Sequence, residues 1–466
     1  MAGIVSLGAY IPRYRLSGEQ VAAVWGGRAR GSRSFANHDE DALTMGADAL
    51  LNCLEGRDPA RVEALYFAST TSPYLEKSGA ALLAEVGDLS REVAVAEFGG
   101  SLRAGTAALR AAADALEAGS ADEVAVVASE LRPARAGEAG EMLAGDGAVA
   151  FLLGREGAAA ELEASYSVTE EFTDVWRRAD DPFPRAADAR FIQTYGYERF
   201  TVEAAEGLLG RCGATREDIG RVLFYAPDLR TRASIARKLG FPEACYPREP
   251  VLGRIGDAGA AAPLLELAAA LEEAEPGEHL LAVGYGSGAE ALLFRATELV
   301  VSLRGRRGVA AHLARARPLS HYGKSLRFRG LMATEVLEPF SSPSILWKEA
   351  KGNLRLYAQR CRRCGFIQFP RQRVCCGCTA RDEFDDFKLA RRGKVYSFVA
   401  DHLVPSPDPP VVMATADLEG GGRFYGQLTD CEPGEVAIDM PVELCFRLLH
   451  RGEGYYNYFW KFRPLL

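Results

Sequence analysis

The chain has 466 residues, 48 % of them hydrophobic and 25 % charged, with a net charge of −8. At roughly 100–200 residues per domain this is room for about two to four domains, and the composition excludes wholesale disorder. No stretch approaches the roughly 18–20 apolar residues of a membrane span, and the N-terminus lacks the basic start of a signal peptide, so a cytoplasmic protein with no membrane partner is expected.

The first 10 residues read as a strand. A second strand is predicted over 63–69, then an alanine-rich helix over 79–87 and a glycine-rich turn, Phe98-Gly-Gly-Ser-Leu-Arg-Ala-Gly105. A long helix follows over 106–119, then a buried strand over 123–129 and a segment 145–153 that closes the half. The same order returns further on. A strand is predicted over 221–227, a helix over 232–240, a glycine turn Arg254-Ile-Gly-Asp-Ala-Gly259, a helix over 260–277, a strand over 279–284, and a closing segment over 286–294. Buried strands alternating with alanine-rich helices imply mixed sheets covered by helices. Two glycine turns that each open a helix imply two helix N-termini at related places, facing one cleft.

Residues 301–373 hold sixteen Lys or Arg against Glu335, Glu338 and Glu349. Such a stretch is either a solvated basic surface or a site for a polyanion, a nucleotide-like cofactor or nucleic acid. Arg304, Arg306 and Arg307 are its densest part, and docking of the C-terminal module or binding of cofactor phosphates is the expected role. Pro339-Phe-Ser-Ser-Pro343 has the composition of a linker. Five of the ten cysteines then fall between Cys361 and Cys378. Cys361-Arg-Arg-Cys364 and Cys375-Cys-Gly-Cys378 are two CxxC knuckles, and four thiolates suit a tetrahedral structural Zn²⁺ with no position left for water. Cys376 is surplus, and a redox dithiol is the competing reading. Short β-patterned runs over 394–400, 410–416, 423–428 and 442–448 predict a small all-β barrel. The expected domains are 1–335, a linker over 336–355, a zinc ribbon over 356–385 and a barrel over 386–466.

Several segments together carry a specific resemblance: Pro73-Tyr74 with Lys77, Arg103-Ala-Gly-Thr106, Gly145-Asp-Gly-Ala148, Phe172-Thr-Asp-Val-Trp-Arg177, Tyr285-Gly-Ser-Gly-Ala289 and His321-Tyr-Gly-Lys-Ser-Leu-Arg-Phe-Arg-Gly330. In their order they resemble the 3-hydroxy-3-methylglutaryl-CoA synthase branch of the thiolase superfamily, and residues from about 350 onward resemble the zinc-ribbon and OB-fold module that accompanies thiolases. The resemblance implies an α/β fold of duplicated thiolase-like layers, followed by the ribbon and an OB barrel. It implies acyl-CoA thioesters as substrates, a homodimer, and a partner thiolase as a further possibility.

The resemblance also implies a nucleophilic Cys helped by Glu, His and Asn, and this sequence departs at each place. Leu102 stands where the Cys is expected, with Ser101 beside it; Thr70 stands for the Glu, Tyr225 for the His and Asp257 for the Asn. A leucine cannot be acylated, so the usual Claisen condensation has no covalent carrier. Tyr225, Asp257 and Ser101 are the candidate catalytic residues, and Thr70, Arg103 and Ser287 the candidate substrate contacts. An aldol-type step by proton transfer fits them. A non-catalytic scaffold that binds acyl-CoA for a partner thiolase is the alternative. Nucleic-acid binding is disfavoured, because the basic residues lie before the barrel rather than on it.

Overall fold

The computed structural model describes residues 2–27, 31–336 and 338–465, so Met1 and Leu466 of the expected first and last domains lie outside the described residues. The described chain divides into two units: residues up to 36 with 41–325, and residues 37–40 with 326 onward.

The first unit is built on one nine-stranded sheet. Its strand order is Arg221–Phe224, His279–Tyr285, Gly288–Ala296, Ala160–Thr169, Gly3–Tyr10, Asp146–Gly154, Glu123–Leu131, Ala64–Ala68 and Ala94–Phe98. Outward from the central pair the two halves repeat. Gly3–Tyr10 pairs antiparallel with Asp146–Gly154, which pairs antiparallel with Glu123–Leu131, which runs parallel to Ala64–Ala68. Ala160–Thr169, Gly288–Ala296, His279–Tyr285 and Arg221–Phe224 follow the same sequence of directions. The halves join through a short antiparallel register, Gly3 opposite Glu161. Only the first half adds a further parallel strand, Ala94–Phe98, at its edge.

The helices Ala104–Glu117 and Ala262–Glu273 pack between the halves. Leu109, Ala112, Leu264 and Ala268 share one buried cluster with Val126 and Phe151 of the first half and Leu280 of the second. Small residues allow this. A Cβ on Gly105 would lie 2.2 Å from the Ala260 carbonyl oxygen, so the first helix enters against the turn that opens the second only because residue 105 lacks a side chain. That contact explains the glycine of the Arg-Ala-Gly-Thr segment. The second helix starts later than its sequence suggests, because a 3₁₀ turn, Gly259–Ala261, precedes it.

Some elements carry no sequence signal. The helix Ala42–Cys53 is buried on nearly every side, so it has no polar face from which a helical period could be read. Part of the basic cluster has a structural role. Arg306 donates to the carbonyls of Leu7, Cys53 and Glu55 at 3.0–3.2 Å, closing the end of that helix, where carbonyls have no intrahelical partner. Arg304 pairs with Glu275 at 2.7 Å and Arg307 with Glu55 at 3.9 Å. Arg304 stays exposed beside its ion pair, so the expectation of phosphate binding or module docking is left as an expectation for the rest of the basic segment. No described helix is long and apolar enough to cross a membrane.

The second unit holds the ribbon and a closed five-stranded barrel of Arg392–Asp401, Val411–Leu418, Arg423–Leu428, Tyr455–Pro464 and Pro441–Gly452. The strand Tyr455–Pro464 has no sequence-stated counterpart: its aromatic and charged residues lack clean alternation. Within this unit the buried Arg447 pairs with Asp430 at 2.7 Å and with Glu40, and Lys461 pairs with Asp39 at 2.9 Å. A cavity of about 440 Å³ lies beside them, lined among others by His38, Thr429 and His450.

Candidate active site and metal centre

Residues that follow the parallel strands of both halves supply the candidate site, as the strand ends of open α/β folds do. Thr70 follows Ala64–Ala68, Glu130 and Arg132 end and follow Glu123–Leu131, Tyr225 follows Arg221–Phe224, and Ser287 follows His279–Tyr285.

Tyr225 is buried and its Oη donates to Asp257 Oδ2 at 3.0 Å. Asp257 Oδ1 accepts the Gly259 N–H at 2.8 Å, so the same carboxylate caps the 3₁₀ turn and holds the phenol. The Asp257 backbone is fixed on both sides, by its N–H on the Leu143 carbonyl and its carbonyl on the Gly145 N–H. Burial pushes the Asp257 carboxyl above the usual carboxylate range, against the pull of the Arg132 guanidinium. Burial, and then the Asp257 charge, push the Tyr225 hydroxyl well above its ordinary value. Tyr225 therefore stays a phenol and Asp257 is the group able to take a proton.

Thr70 enters a second group that the sequence reading missed. Glu130, fully buried, accepts from Thr70 N and Oγ1 at 2.8 and 2.9 Å and from Thr71 Oγ1 at 2.7 Å. Arg132 Nη1 donates to Thr70 Oγ1 at 3.2 Å. The turn 257–260 joins the two groups, since a Cβ on Gly259 would lie 3.0 Å from Arg132 Cδ and 3.2 Å from Glu130 Cδ. The available signal was a glutamate and an arginine closing an otherwise apolar strand, Glu123–Leu131. A second tyrosine–aspartate pair was also missed. Tyr285 Oη donates to Asp174 Oδ2 at 2.6 Å, and its ring stacks on Tyr225 at 5.9 Å and 12°. Tyr197, from a π-helical segment Ile192–Glu198, packs on both rings.

Ser101 and Ser287 are brought together. A Cβ on Gly286 would lie 2.3 Å from Ser101 Oγ and 3.1 Å from Leu102 N. Ser287 has a left-handed backbone, φ +47°, and neither its N–H nor that of Leu102 bonds another described residue. The Leu102 side chain packs into the apolar cluster that contains Tyr225 and Tyr285. Ser101 Oγ accepts the Arg103 N–H at 3.2 Å, and Arg103 Nη1 is used on the Val168 carbonyl at 3.0 Å.

Curated relatives align with this unit. A hydroxymethylglutaryl-CoA synthase of Methanosarcina mazei is 32 % identical over 342 residues, 70 % of this chain and 98 % of that protein. The chain belongs to the hydroxymethylglutaryl-CoA synthase family. A second such synthase, from Methanopyrus kandleri, is 32 % identical over 340 residues, with 70 % and 97 % covered. Among solved structures, MvaS in complex with 3-hydroxy-3-methylglutaryl coenzyme A superimposes with a TM-score of 0.63 at 20 % identity, covering 72 % of this chain and 94 % of that one. The 3-oxoacyl-[acyl-carrier-protein] synthase III of Aquifex aeolicus shares the fold at a TM-score of 0.57 and 19 % identity, covering 63 % and 100 %. The C-terminal region matches two further family models, the ChsH2 rubredoxin-like zinc ribbon domain over 348–385 and the ChsH2 C-terminal OB-fold domain over 388–447. This member of the synthase family thus carries a ribbon and an OB barrel on the same chain.

In the ribbon, Cys361, Cys364, Cys375 and Cys378 place their sulfurs within 4.8 Å of one another. Cys361 Sγ lies 3.7 Å from Cys378 Sγ, and Cys364 Sγ 3.6 Å from Cys375 Sγ. These separations are far beyond the ~2.05 Å of a disulfide. They match the roughly 3.8 Å edge of a tetrahedron with ~2.3 Å Zn–S bonds. Cys376 stays exposed outside the set.

Proposed function

We propose that the chain makes or breaks a C–C bond in an acyl-CoA thioester by proton transfer, without an acyl-enzyme. The observation that carries this reading is the buried Tyr225–Asp257 hydrogen bond of 3.0 Å, at the two positions where the resemblance implies His and Asn, in a site whose nucleophile position holds Leu102. A serine hydroxyl is a weak nucleophile without an adjacent base, and Ser101 has none bonded to it. Asp257 serves as the base and Tyr225 relays or returns the proton. The free amides of Leu102 and Ser287 polarise the thioester carbonyl. The relatives' names supply the CoA thioester as substrate class. The ribbon cysteines hold one structural Zn²⁺. The strand Ala94–Phe98 closes the sheet with exposed residues, which supports a homodimer formed by continuing the sheet across a two-fold axis.

Incubation of the full chain with radiolabelled acyl-CoAs tests the chemistry. C–C bond turnover without covalent label after denaturation is expected. Label on Ser101 restores an acyltransferase. No turnover with any acyl-CoA, together with a partner thiolase whose activity survives Tyr225→Phe and Asp257→Asn, turns the chain into an acyl-CoA-binding scaffold.

A further inference from the structure

We infer that Arg132 binds the oxygen on the third carbon of the acyl group, the oxygen on which negative charge develops during the C–C step. The inference rests on the acid–base reading above and adds to it the group that receives the charge.

A buried guanidinium is costly unless carboxylates and hydrogen bonds surround it. Arg447 meets that cost with Asp430 and Glu40, Arg463 with Glu443 at 2.8 Å, and the buried Arg15 with the carbonyls of Pro12 and Tyr14. Arg132 differs. It lies deep beside Glu130 and Asp257, yet among the described residues no carboxylate oxygen comes within ion-pair distance of it, and of its five N–H donors only Nη1 has a partner, Thr70 Oγ1. The remaining donors are not sealed in protein: Arg132 keeps part of its surface open, and none of its nitrogens is among the fully buried atoms lacking a partner. Its position is rigid. The Arg132 N–H bonds Asp146 Oδ1 at 2.9 Å, and the side chain lies against Gly259, where a Cβ would stand 3.3 Å from Nε. A planar fork of free donors, fixed at both ends beside the proton-accepting pair, is a binding site for a substrate oxygen.

Charge conservation favours an oxygen that is neutral at rest. Burial opposes the Arg132 charge, but Asp257, then Glu130 and Tyr225, sustain it, and a permanent carboxylate would add a third anion to this group. In the cleaving direction the 3-hydroxyl proton passes to the Tyr225 oxygen as the Tyr225 proton passes to Asp257. Negative charge thereby leaves Asp257 and arises on the substrate oxygen. The C–C bond then breaks, its pair passes to the second carbon as the enolate, and a C=O forms at the third. The proton returns from Asp257 through Tyr225 to the enolate carbon. No other reactant is consumed, and Arg132 faces the anion before and after the transfer.

The experiment compares the affinity of the full-length protein for racemic 3-hydroxybutyryl-CoA and for butyryl-CoA, by calorimetry, in the wild type and in Arg132→Met. A hydrogen bond to a charged group gives an expected preference of about ten- to a hundredfold for the hydroxy compound. Arg132→Met is expected to abolish that preference and leave butyryl-CoA affinity unchanged. Equal affinities in the wild type, or the same preference in the variant, overturn the inference. If zinc content and thermal melting show that Arg132→Met does not fold, Arg132→Gln carries the same comparison. A preference that depends on Arg132 in a protein that turns over no acyl-CoA keeps the oxygen contact and overturns the acid–base reading instead.

Discussion

The four cysteines of the ribbon come from residues 361–378, in two knuckles that each supply a pair. The polar groups of the candidate active site come instead from the ends of four strands and from the turn 257–260. In the ribbon, neighbours in sequence are neighbours in space, so spacing alone states the chemistry. In the candidate active site hydrogen bonds join residues 32 to 130 positions apart. A residue there can be exchanged while its place in the fold stays. The ribbon keeps a complete ligand set, whereas the candidate active site holds Leu102, Thr70, Tyr225 and Asp257 where the resemblance implies Cys, Glu, His and Asn, and joins Tyr225 to Asp257 and Thr70 to Glu130.

That contrast can be broken most forcefully at the metal. Structural zinc contributes about 10–16 kcal/mol to domains of this kind. Cys364→Ser is therefore expected to drop metal analysis from about one zinc per chain to none and to unfold the ribbon, seen as lost solubility. Retained metal would end the tetrahedral assignment.

The catalytic centre should respond in rate, not in folding. Tyr225→Phe and Asp257→Asn are each expected to lower turnover by ~10²–10⁴, with zinc content unchanged. The two losses should not add, because the groups act through one proton path. With Asp257 as the proposed base, activity would need it ionised, and burial raises its carboxyl, so the acid limb of the rate profile should stand above the ~3.9 of a free aspartate. An acid limb at or below that value would show Asp257 is not the base. The same raised value sets the sign for stability. The contribution of Asp257 is full below the unfolded value and is lost as pH rises through the folded one. Asp39 of the second unit runs the other way. Burial would raise it, but Lys461, His38 and Arg447 hold it well below the usual range. Its contribution is present above ~3.9 and is lost as pH falls below that.

The smallest effect sharpens the ribbon's boundary. Cys376 is exposed, and its backbone N–H, not its sulfur, bonds Gln368. Cys376→Ser is expected to change stability by less than about 0.5 kcal/mol and leave zinc content as it was. Loss of metal there would mean a CxC pairing.

What could be read from the chain follows the same division. The repeated order of strands and helices was legible because buried β-runs and alanine-rich helices differ in period and length. Thr70, Leu102, Tyr225 and Asp257 were singled out from flanking segments, and the structure joins Tyr225 to Asp257. Glu130 and Arg132 were not singled out, since their meaning depends on Thr70 and Gly259, brought near only by the sheet. The helix Ala42–Cys53 left no stripe to read, and the strand Tyr455–Pro464 no alternation. The basic run could not be resolved further because clustered charge does not say what it faces: Arg306 faces helix-end carbonyls.

The counterions of the barrel's buried Arg447 and Lys461 include Glu40 and Asp39, and Asp39 precedes Lys461 by 422 residues. At ~5–20 residues per second of synthesis, roughly 20–80 s separate the two ends of that pair on the ribosome. Two acidic residues thus leave the ribosome well before the cations that they meet in the folded unit. A C-terminal half produced alone would carry Lys461 without Asp39 and Arg447 with Asp430 but not Glu40, a deficit of about 3–5 kcal/mol for a broken buried pair.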